Sequence, residues 1–180
     1  MLEDKLLVWK IKRGEREAMR ELYQRYKDDL LTIAVSLLNE PATAEDVLHD
    51  VFISFVTGID NFELYGNLKN YLATCLVNRV RDRFRAKQFE VVGLDSTGPL
   101  SPELDEPEDT AMAKEQSQIL TDALTELPLQ QCEVIVLHLQ AGMKFREIAE
   151  MQDVSMNTIQ SRYRYGLEKL RSILDLEVIE

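Results

Sequence analysis

Apolar residues recur at intervals of three and four positions along most of this chain, and that spacing is typical of amphipathic helices. The clearest example is the segment from residue 67 to residue 87, where an apolar residue stands at every fourth position: Leu68, Leu72, Leu76, Val80 and Phe84. The same pattern predicts three helices before this segment, at residues 2–12, 15–39 and 44–58, and four after it, beginning near residues 111, 129, 145 and 156. We therefore expect an all-α protein.

Polar and turn-forming residues mark the ends of several predicted helices. Gly14 is suited to end the first helix, because glycine adopts the left-handed conformation at little cost. Thr43 is predicted to cap the third helix in a weak capping box with Asp46, and Ser155 is predicted to cap the last helix. The apolar pattern also predicts buried leucines in the first, sixth and last helices: Leu6, Leu139 and Leu167.

Residues 90–110 interrupt the helical pattern. This stretch contains two glycines, three prolines and mostly acidic charges, which is the composition of a flexible tether. We therefore predict two small helical domains, an N-terminal helical bundle at residues 1–89 and a C-terminal domain at residues 111–180, joined by a flexible acidic linker at residues 90–110. The linker fits a plain tether and an acidic mimic of nucleic acid equally well.

The charge of the chain is unevenly distributed. The 180 residues carry a formal net charge of −11, and residues 91–126 contribute most of it, with one basic residue against nine acidic ones. By contrast, five cations fall within nine residues of the fourth predicted helix: Arg79, Arg81, Arg83, Arg85 and Lys87. Cations this dense repel one another unless a polyanion lies nearby. They indicate nucleic-acid binding, with a solvated helix end as the alternative.

Other classes of function find little support in the sequence. Cys75 and Cys132 are 57 positions apart, which is neither a zinc spacing nor a disulfide framework, so we expect reduced thiols in the cytoplasm. The N-terminus lacks a signal-peptide pattern, and the longest apolar run, residues 30–38, is too short to insert into a membrane. We find no glycine-rich phosphate loop, catalytic triad or metal cluster, so we expect no enzyme, no metal and no cofactor.

The C-terminal half contains the pattern of a helix-turn-helix. A short helix at residues 145–152 is followed by a tight turn and a longer helix, whose first turns would enter the major groove of DNA. Ile159 and Tyr163 are predicted to point into the domain, which leaves three residues facing outward to read base edges: Met156, Asn157 and Gln160. Four residues flank them and suit phosphates: Thr158, Ser161, Arg162 and Arg164.

Taken in order, these blocks resemble the extracytoplasmic-function sigma factors, the small two-domain branch of bacterial sigma factors. Ala18-Met19-x-x-Leu22-Tyr23-x-x-Tyr26 is similar to the opening helix of that family, and residues 43–52 resemble its polymerase-binding helix. Leu68-x-x-Tyr71-Leu72, followed by Asn78, Asp82 and Arg85, resembles its promoter-melting helix. Leu127-Pro128 and residues 145–162 resemble its C-terminal domain, so the resemblance covers nearly the whole chain.

The resemblance implies a promoter-specificity subunit that binds core RNA polymerase, recognises two promoter elements and helps to open the duplex. Its implied partners are core polymerase and promoter DNA, with an anti-sigma factor as a further candidate. The residues implied for polymerase binding are Asp46, His49, Asp50 and Ile53. Those implied for DNA at the upstream edge of the melted region are Phe62, Tyr65, Asn78, Arg79, Arg81, Asp82 and Arg85.

Two other functions stay open at this point. A stand-alone helix-turn-helix regulator would explain the last 54 residues but not the first 90. A sigma mimic that titrates an anti-sigma factor would not need the arginines that follow Asn78.

Overall fold

The computed structural model describes residues 2–90 and 108–177, and every regular element in these two ranges is a helix. The first range contains α1 (Leu2–Lys12), α2 (Arg16–Leu38), α3 (Pro41–Thr57), a single 3-10 turn (Ile59–Asn61) and α4 (Leu68–Glu90). The second contains α5 (Glu108–Thr125), α6 (Leu129–Leu139), α7 (Phe145–Gln152) and α8 (Met156–Glu177). The all-α prediction is thus confirmed, although α5 begins three residues before the predicted position. The rest of the predicted linker lies outside the described residues.

The N-terminal half is a bundle built around α2, which packs against α1, α3 and α4. The apolar spacing of α2 and α4 places leucines and isoleucines in the centre, among them Leu22, Leu30, Ile33, Leu72 and Leu76, all almost fully buried. Each such side chain contributes about 1.5–3 kcal/mol relative to an exposed one. The predicted stripe of α4 is therefore the core-facing side of that helix, and only its last member, Phe84, is partly exposed.

The two halves also pack against each other, because α2 contacts α5 and α6 as well as its own bundle. Asn39 Nδ2 donates to Asp122 Oδ1 at 2.8 Å, and Gln140 Nε2 donates to Ser36 Oγ at 3.0 Å. Burial raises the pKa of Cys132 to about 12, so its thiol stays protonated at neutral pH and donates to the Ser36 carbonyl at 3.6 Å. The hydrophobic core is consequently continuous across both halves.

Turn residues with positive φ stand at four helix ends. Gly14 has φ +78° and ends α1 as predicted, while Gly142 has φ +72° after α6. Asn39 and Asp153 have φ of 50° and 52°, a region that asparagine and aspartate tolerate better than most side chains. These residues set the short connections that let neighbouring helices pack side by side.

The predicted cap of α3 was wrong. The helix begins at Pro41, two residues before Thr43, and Glu40 occupies the N-cap position without a side-chain hydrogen bond to the helix. Proline at the first helical position is pre-organised, because its φ is already helical and its missing N–H would have had no partner. Thr43 is therefore buried inside the first turn.

Three predicted core leucines, Leu6, Leu139 and Leu167, are exposed instead. In α1 the buried side is formed by Leu7, Val8 and Ile11, one position further round the helix. In α6 the six residues from Cys132 to Leu137 are all buried, so a single stripe does not describe this helix. In α8 the position next to Leu167 faces α6, and it is a glycine.

Gly166 allows α8 to approach α6 closely. A Cβ atom at this position would lie 2.8 Å from Ile135 Cδ1, which would have to shift, and 3.2 Å from Gln131 Cβ, a tight contact. The glycine costs helix propensity, about 1 kcal/mol relative to alanine, and the close contact between the two helices offsets that cost.

Gly166→Ala should therefore destabilise the protein by about 1–2 kcal/mol, because overpacking outweighs the gain in helix propensity. Ser172→Ala, at an exposed position of the same helix, is the matched control and should be neutral or slightly stabilising. Urea unfolding followed by circular dichroism measures both changes. A Gly166→Ala variant as stable as the Ser172→Ala variant would contradict the packing role.

Candidate nucleic-acid interface

One side of α3 is polar and open to solvent. Asp46, His49, Asp50 and Ile53 are all exposed, and they share this side because they are spaced by three and four positions. The opposite side of the helix, with Val47, Val51 and Phe55, is buried in the bundle. Ile53 is 58% exposed, which leaves an uncovered apolar residue at the end of an acidic surface. The prediction that these four residues lie together away from the core is confirmed by the geometry.

The second half of α4 presents polar side chains next to α3. Asn78 and Asp82 line a groove of about 250 Å³ between the two helices. Arg79 Nη2 donates to Ser54 Oγ of α3 at 2.9 Å, and Arg85 pairs with Asp82 at 3.2 Å. The predicted basic surface therefore exists, but its arginines are partly engaged by neighbours.

The two aromatic residues of the loop before α4 lie in different environments. Phe62 packs against Phe55 and Tyr71, with ring centroids 5.1 and 4.7 Å apart, so it is part of an aromatic cluster. Tyr65 is 84% exposed, and its hydroxyl donates to the Glu63 carboxylate, which raises the tyrosine pKa. Tyr65 is thus the accessible ring of this loop, whereas Phe62 supports the loop from below.

Arg81 turns away from the groove and toward the other half of the molecule. Its Nε and Nη2 atoms donate to the two carboxylate oxygens of Glu133 in α6, at 2.7 and 2.5 Å. These hydrogen bonds raise the pKa of Arg81. Glu133 is only 1% exposed. The sequence analysis did not single out Glu133, although an acid within the apolar run of residues 132–137 was a signal that it has a buried partner.

A further pair of hydrogen bonds extends this contact to the last helix. Gln152 Nε2 donates to Glu133 Oε2 at 3.1 Å, and Arg162 Nη1 donates to Gln152 Oε1 at 2.6 Å. These side chains line a cavity of about 520 Å³ between the two halves. The structure therefore brings together Arg81 and Arg162, which were predicted to contact different parts of a DNA molecule.

The last helix begins as predicted. Ser155 Oγ accepts a hydrogen bond from the Thr158 backbone N–H at 3.1 Å, so Ser155 caps α8. Ile159 is fully buried, and Tyr163 is half-buried against His138 and Phe145. Three residues are exposed on the outer side, Met156, Asn157 and Gln160, whereas Thr158, Ser161 and Arg162 are half-buried and Arg164 is exposed.

Both halves of the chain match known protein families. Residues 22–90 match the family described as Sigma-70 region 2, and residues 117–170 match the family described as Sigma-70, region 4. The chain belongs to the extracytoplasmic-function sigma factors. It is 26% identical over 176 residues to the ECF RNA polymerase sigma factor SigW of Bacillus subtilis. The aligned region covers 93% of this chain and 94% of that protein.

Two solved structures share the fold of this sigma factor. CnrH, solved in complex with the cytosolic domain of CnrY, superposes with a TM-score of 0.70 at 21% identity. The superposition covers 96% of this chain and 97% of the CnrH chain. The sigma factor RpoE from Bartonella quintana, solved with the anti-sigma factor NepR, gives a TM-score of 0.65 at 25% identity. That superposition covers 87% of this chain and 96% of the RpoE chain. Both matches are consistent with two helical domains in the order found here.

The protein is therefore an RNA polymerase sigma factor that acts with core polymerase on promoter DNA, and it is not an enzyme. The match of residues 22–90 to region 2 is inconsistent with a stand-alone helix-turn-helix regulator. No described group of three or more His, Cys, Asp or Glu side chains could hold a metal ion. Within the described ranges, every helix is too short or too polar to cross a membrane.

Ser155→Ala should lower the free energy of unfolding of the sigma factor by about 1 kcal/mol, because the first turn of α8 loses its cap. Ser155→Asp should restore that stability, since aspartate also caps helices and suits the helix N-terminus. Thermal unfolding of the three proteins at equal ionic strength measures the effect. Equal stability of the alanine variant and the wild type would show that the cap contributes nothing.

Proposed function

We propose that this sigma factor binds core polymerase with the exposed side of α3 and promoter DNA with two surfaces, one on α4 and its preceding loop and one on α8. The observation that carries the proposal is the exposed set on α3. Asp46, Asp50 and Ile53 are exposed and lie opposite the buried side of the helix, and His49 is exposed with its ring beside Tyr23. A cytoplasmic location is part of the same proposal, since core polymerase acts there.

The α3 surface combines features of a protein-docking site. It has acidic groups that can pair with cations on a partner, and the exposed side chain of Ile53 provides an apolar contact at its end. By family resemblance, the partner surface is the clamp coiled coil of the large polymerase subunit. A helix whose inner side is fully packed can present such a surface without rearranging, so little conformational entropy is lost on binding.

Asp50→Arg should weaken binding to core polymerase by about tenfold or more, because it reverses a charge in the centre of the proposed contact. Asp28→Arg makes the same change at an exposed position of α2 and serves as the control. Competition binding to core polymerase, followed by run-off transcription, measures the loss.

If Asp50→Arg and Asp28→Arg bind core polymerase equally well, the α3 assignment is wrong.

The α4 surface has the chemistry to hold a separated strand. Asn78, Arg79 and Arg85 offer an amide and two guanidinium groups, and the exposed ring of Tyr65 lies on the loop that precedes the helix. Extruded bases need a pocket and a stacking partner, and an aromatic ring provides the stacking regardless of base identity. The non-template strand at the upstream edge of the melted region is therefore the proposed ligand of this surface, with Phe62 as a support and Asp82 as the partner of Arg85.

The α8 surface has the chemistry to read a duplex. Asn157 and Gln160 expose amide groups that can bond base edges in the major groove, and Met156 is an exposed apolar neighbour suited to a thymine methyl group. Arg164 is exposed beside them, with its guanidinium 4.8 Å from the ring centroid of Tyr165. This arrangement supports recognition of the upstream promoter element, with Thr158, Ser161, Arg162 and Arg164 toward phosphates.

Gln160→Ala in the holoenzyme should change base preference at one promoter position by about 1–3 kcal/mol, the value of a bidentate base contact. Arg164→Ala should instead weaken all promoters alike and lower the salt slope of binding by about one unit. Binding of a library of upstream elements at several salt concentrations separates the two variants. Unaltered base preference for both Gln160→Ala and Asn157→Ala would mean that another surface reads this element.

An anti-sigma factor is also a proposed partner of this protein. The support is its likeness to RpoE of Bartonella quintana, which was solved in complex with the anti-sigma factor NepR. Co-purification from cells would identify such a protein.

A further inference from the structure

The outer side of α1 carries an exposed tryptophan among cations. Residues 5–13 contain four basic side chains and no acidic one, in a chain with 32 acidic and 21 basic residues. Trp9 is the single tryptophan of the chain, and it is 50% exposed. The guanidinium carbon of Arg13 lies 4.4 Å from the centroid of its ring, and a cation at this distance is attracted by the ring face. Arg13 therefore holds the ring in place at the surface.

The helical bundle does not account for this ring. Leu7, Val8 and Ile11 form the core side of α1, and Trp9 lies on the opposite side of the helix. About half of a large aromatic side chain is thus left in contact with water, which costs free energy. An exposed aromatic ring with a guanidinium against it is one of the features with which proteins hold single-stranded nucleic acid.

The two flanks of α1 differ in charge. Lys5, Trp9 and Lys12 are spaced by four and three positions, so they share one flank of the helix. That flank faces the 3-10 turn, because Lys12 Nζ donates to the backbone carbonyl of Asp60 at 3.2 Å. The other flank lies over a groove of about 270 Å³ beside α2, which is lined by two glutamates as well as by basic side chains. The flank toward the turn is therefore the one suited to a polyanion.

This flank adjoins the loop that carries Tyr65. Asp60 and Tyr65 are five positions apart, so at most about 18 Å of chain separates them. The loop and α4 form the surface proposed above for the non-template strand at the upstream edge of the melted region. DNA is single-stranded only on the downstream side of that edge, so a strand that leaves Tyr65 continues downstream. The basic flank of α1, which Lys12 joins to the same turn, is in position to meet that strand.

Exposed leucines on the same helix suggest a lipid surface as a different ligand. Leu2 and Leu6 are 85% and 53% exposed, and with Trp9 they form an apolar row of the kind that lies on bilayers. The chain carries a net charge of −11, however, which the anionic surface of a bilayer repels. DNA meets the same repulsion, but the two other proposed surfaces already hold it close to the protein. The observations therefore favour DNA.

We propose that the flank of α1 with Lys5, Trp9 and Lys12 is a third DNA surface, which holds the non-template strand immediately downstream of the base at Tyr65. Trp9 stacks on a base whatever its identity, and the two lysines pair with phosphates. The contact stabilises the open promoter. This inference rests on the proposed function of α4 and its preceding loop.

Forked promoter fragments test this surface in the holoenzyme. In the short fork the non-template strand ends at the base proposed for Tyr65, and in the long fork it extends by about six nucleotides, within the site size of single-strand binders. Trp9→Leu should weaken binding of the long fork about fivefold or more, the effect of one lost stacked base, and should leave the short fork unchanged. Trp9→Phe should retain most of the affinity, because phenylalanine also stacks.

Lys5→Gln tests the phosphate contact. It should lower the salt slope of long-fork binding by about 0.7 unit, the value for one phosphate of a single strand. Arg20→Gln is the matched control, because Arg20 is an exposed cation of α2 that pairs with Glu17 of the same helix. It should leave the slope unchanged. Circular dichroism confirms that each variant folds.

Equal binding of the long fork by Trp9→Leu and the wild type would overturn the proposal, as would equal salt slopes for Lys5→Gln and Arg20→Gln. Trp9-dependent flotation of the full chain with phosphatidylglycerol vesicles, together with unchanged long-fork binding, would assign the helix to lipid instead. Tyr65→Ala tests the proposed function separately. If that variant binds the short fork as well as the wild type does, the assignment of the loop fails whatever the result at Trp9.

Discussion

The burial of α2 between the two halves of the chain is the contact on which the rest of the structure depends. Leu30 and Ile33 are fully buried, and the same helix contacts α3 and α4 on its own side and α5 and α6 on the other. Since α4 and α8 are both positioned through elements that pack on or near α2, this helix sets the distance between the two proposed DNA surfaces. The apolar contact is non-directional, so other interactions must determine how the two halves are oriented relative to each other.

Polar contacts fix that orientation, and they differ in how much free energy is lost when they are broken. The bond between Asn39 and Asp122 is exposed, so water can replace either partner at little cost. The bonds to Glu133 are different, because this carboxylate is almost fully buried and would be left uncompensated without Arg81. A buried ion pair adds little net stability compared with apolar packing, but the two parallel hydrogen bonds fix how Arg81 and Glu133 lie relative to each other. In this molecule it joins α4 to α6 in one specific arrangement.

The charge distribution fits a DNA-binding subunit that acts within a larger complex. A net charge of −11 gives the free protein a field that repels nucleic acid at long range, and local arginines act only near their own surface. The acidic side of α3 contributes to that field until a partner covers it. Binding of a basic partner surface to α3 would thus neutralise part of the repulsion.

Local spacing in the sequence determined the helices and the faces of several of them. The period of 3.6 residues was enough to predict the four exposed residues of α3 and the outward positions of α8, and the preferences of single residues predicted the ends at Gly14 and Ser155. These features depend on neighbours within about one or two helical turns. The cap at Thr43 was wrong for a local reason too, because Pro41 was available to start the helix earlier.

Only the tertiary structure decided which surfaces cover one another. A periodic pattern marks an apolar side but does not identify the helix that packs on it. It could therefore not predict that Leu139 and Leu167 are exposed, or that Gly166 meets Ile135. The pairing of Arg81 with Glu133 joins positions 52 residues apart, and no local preference encodes it. Its strength comes from removal of the carboxylate from water, which happens only when both halves have folded and packed together.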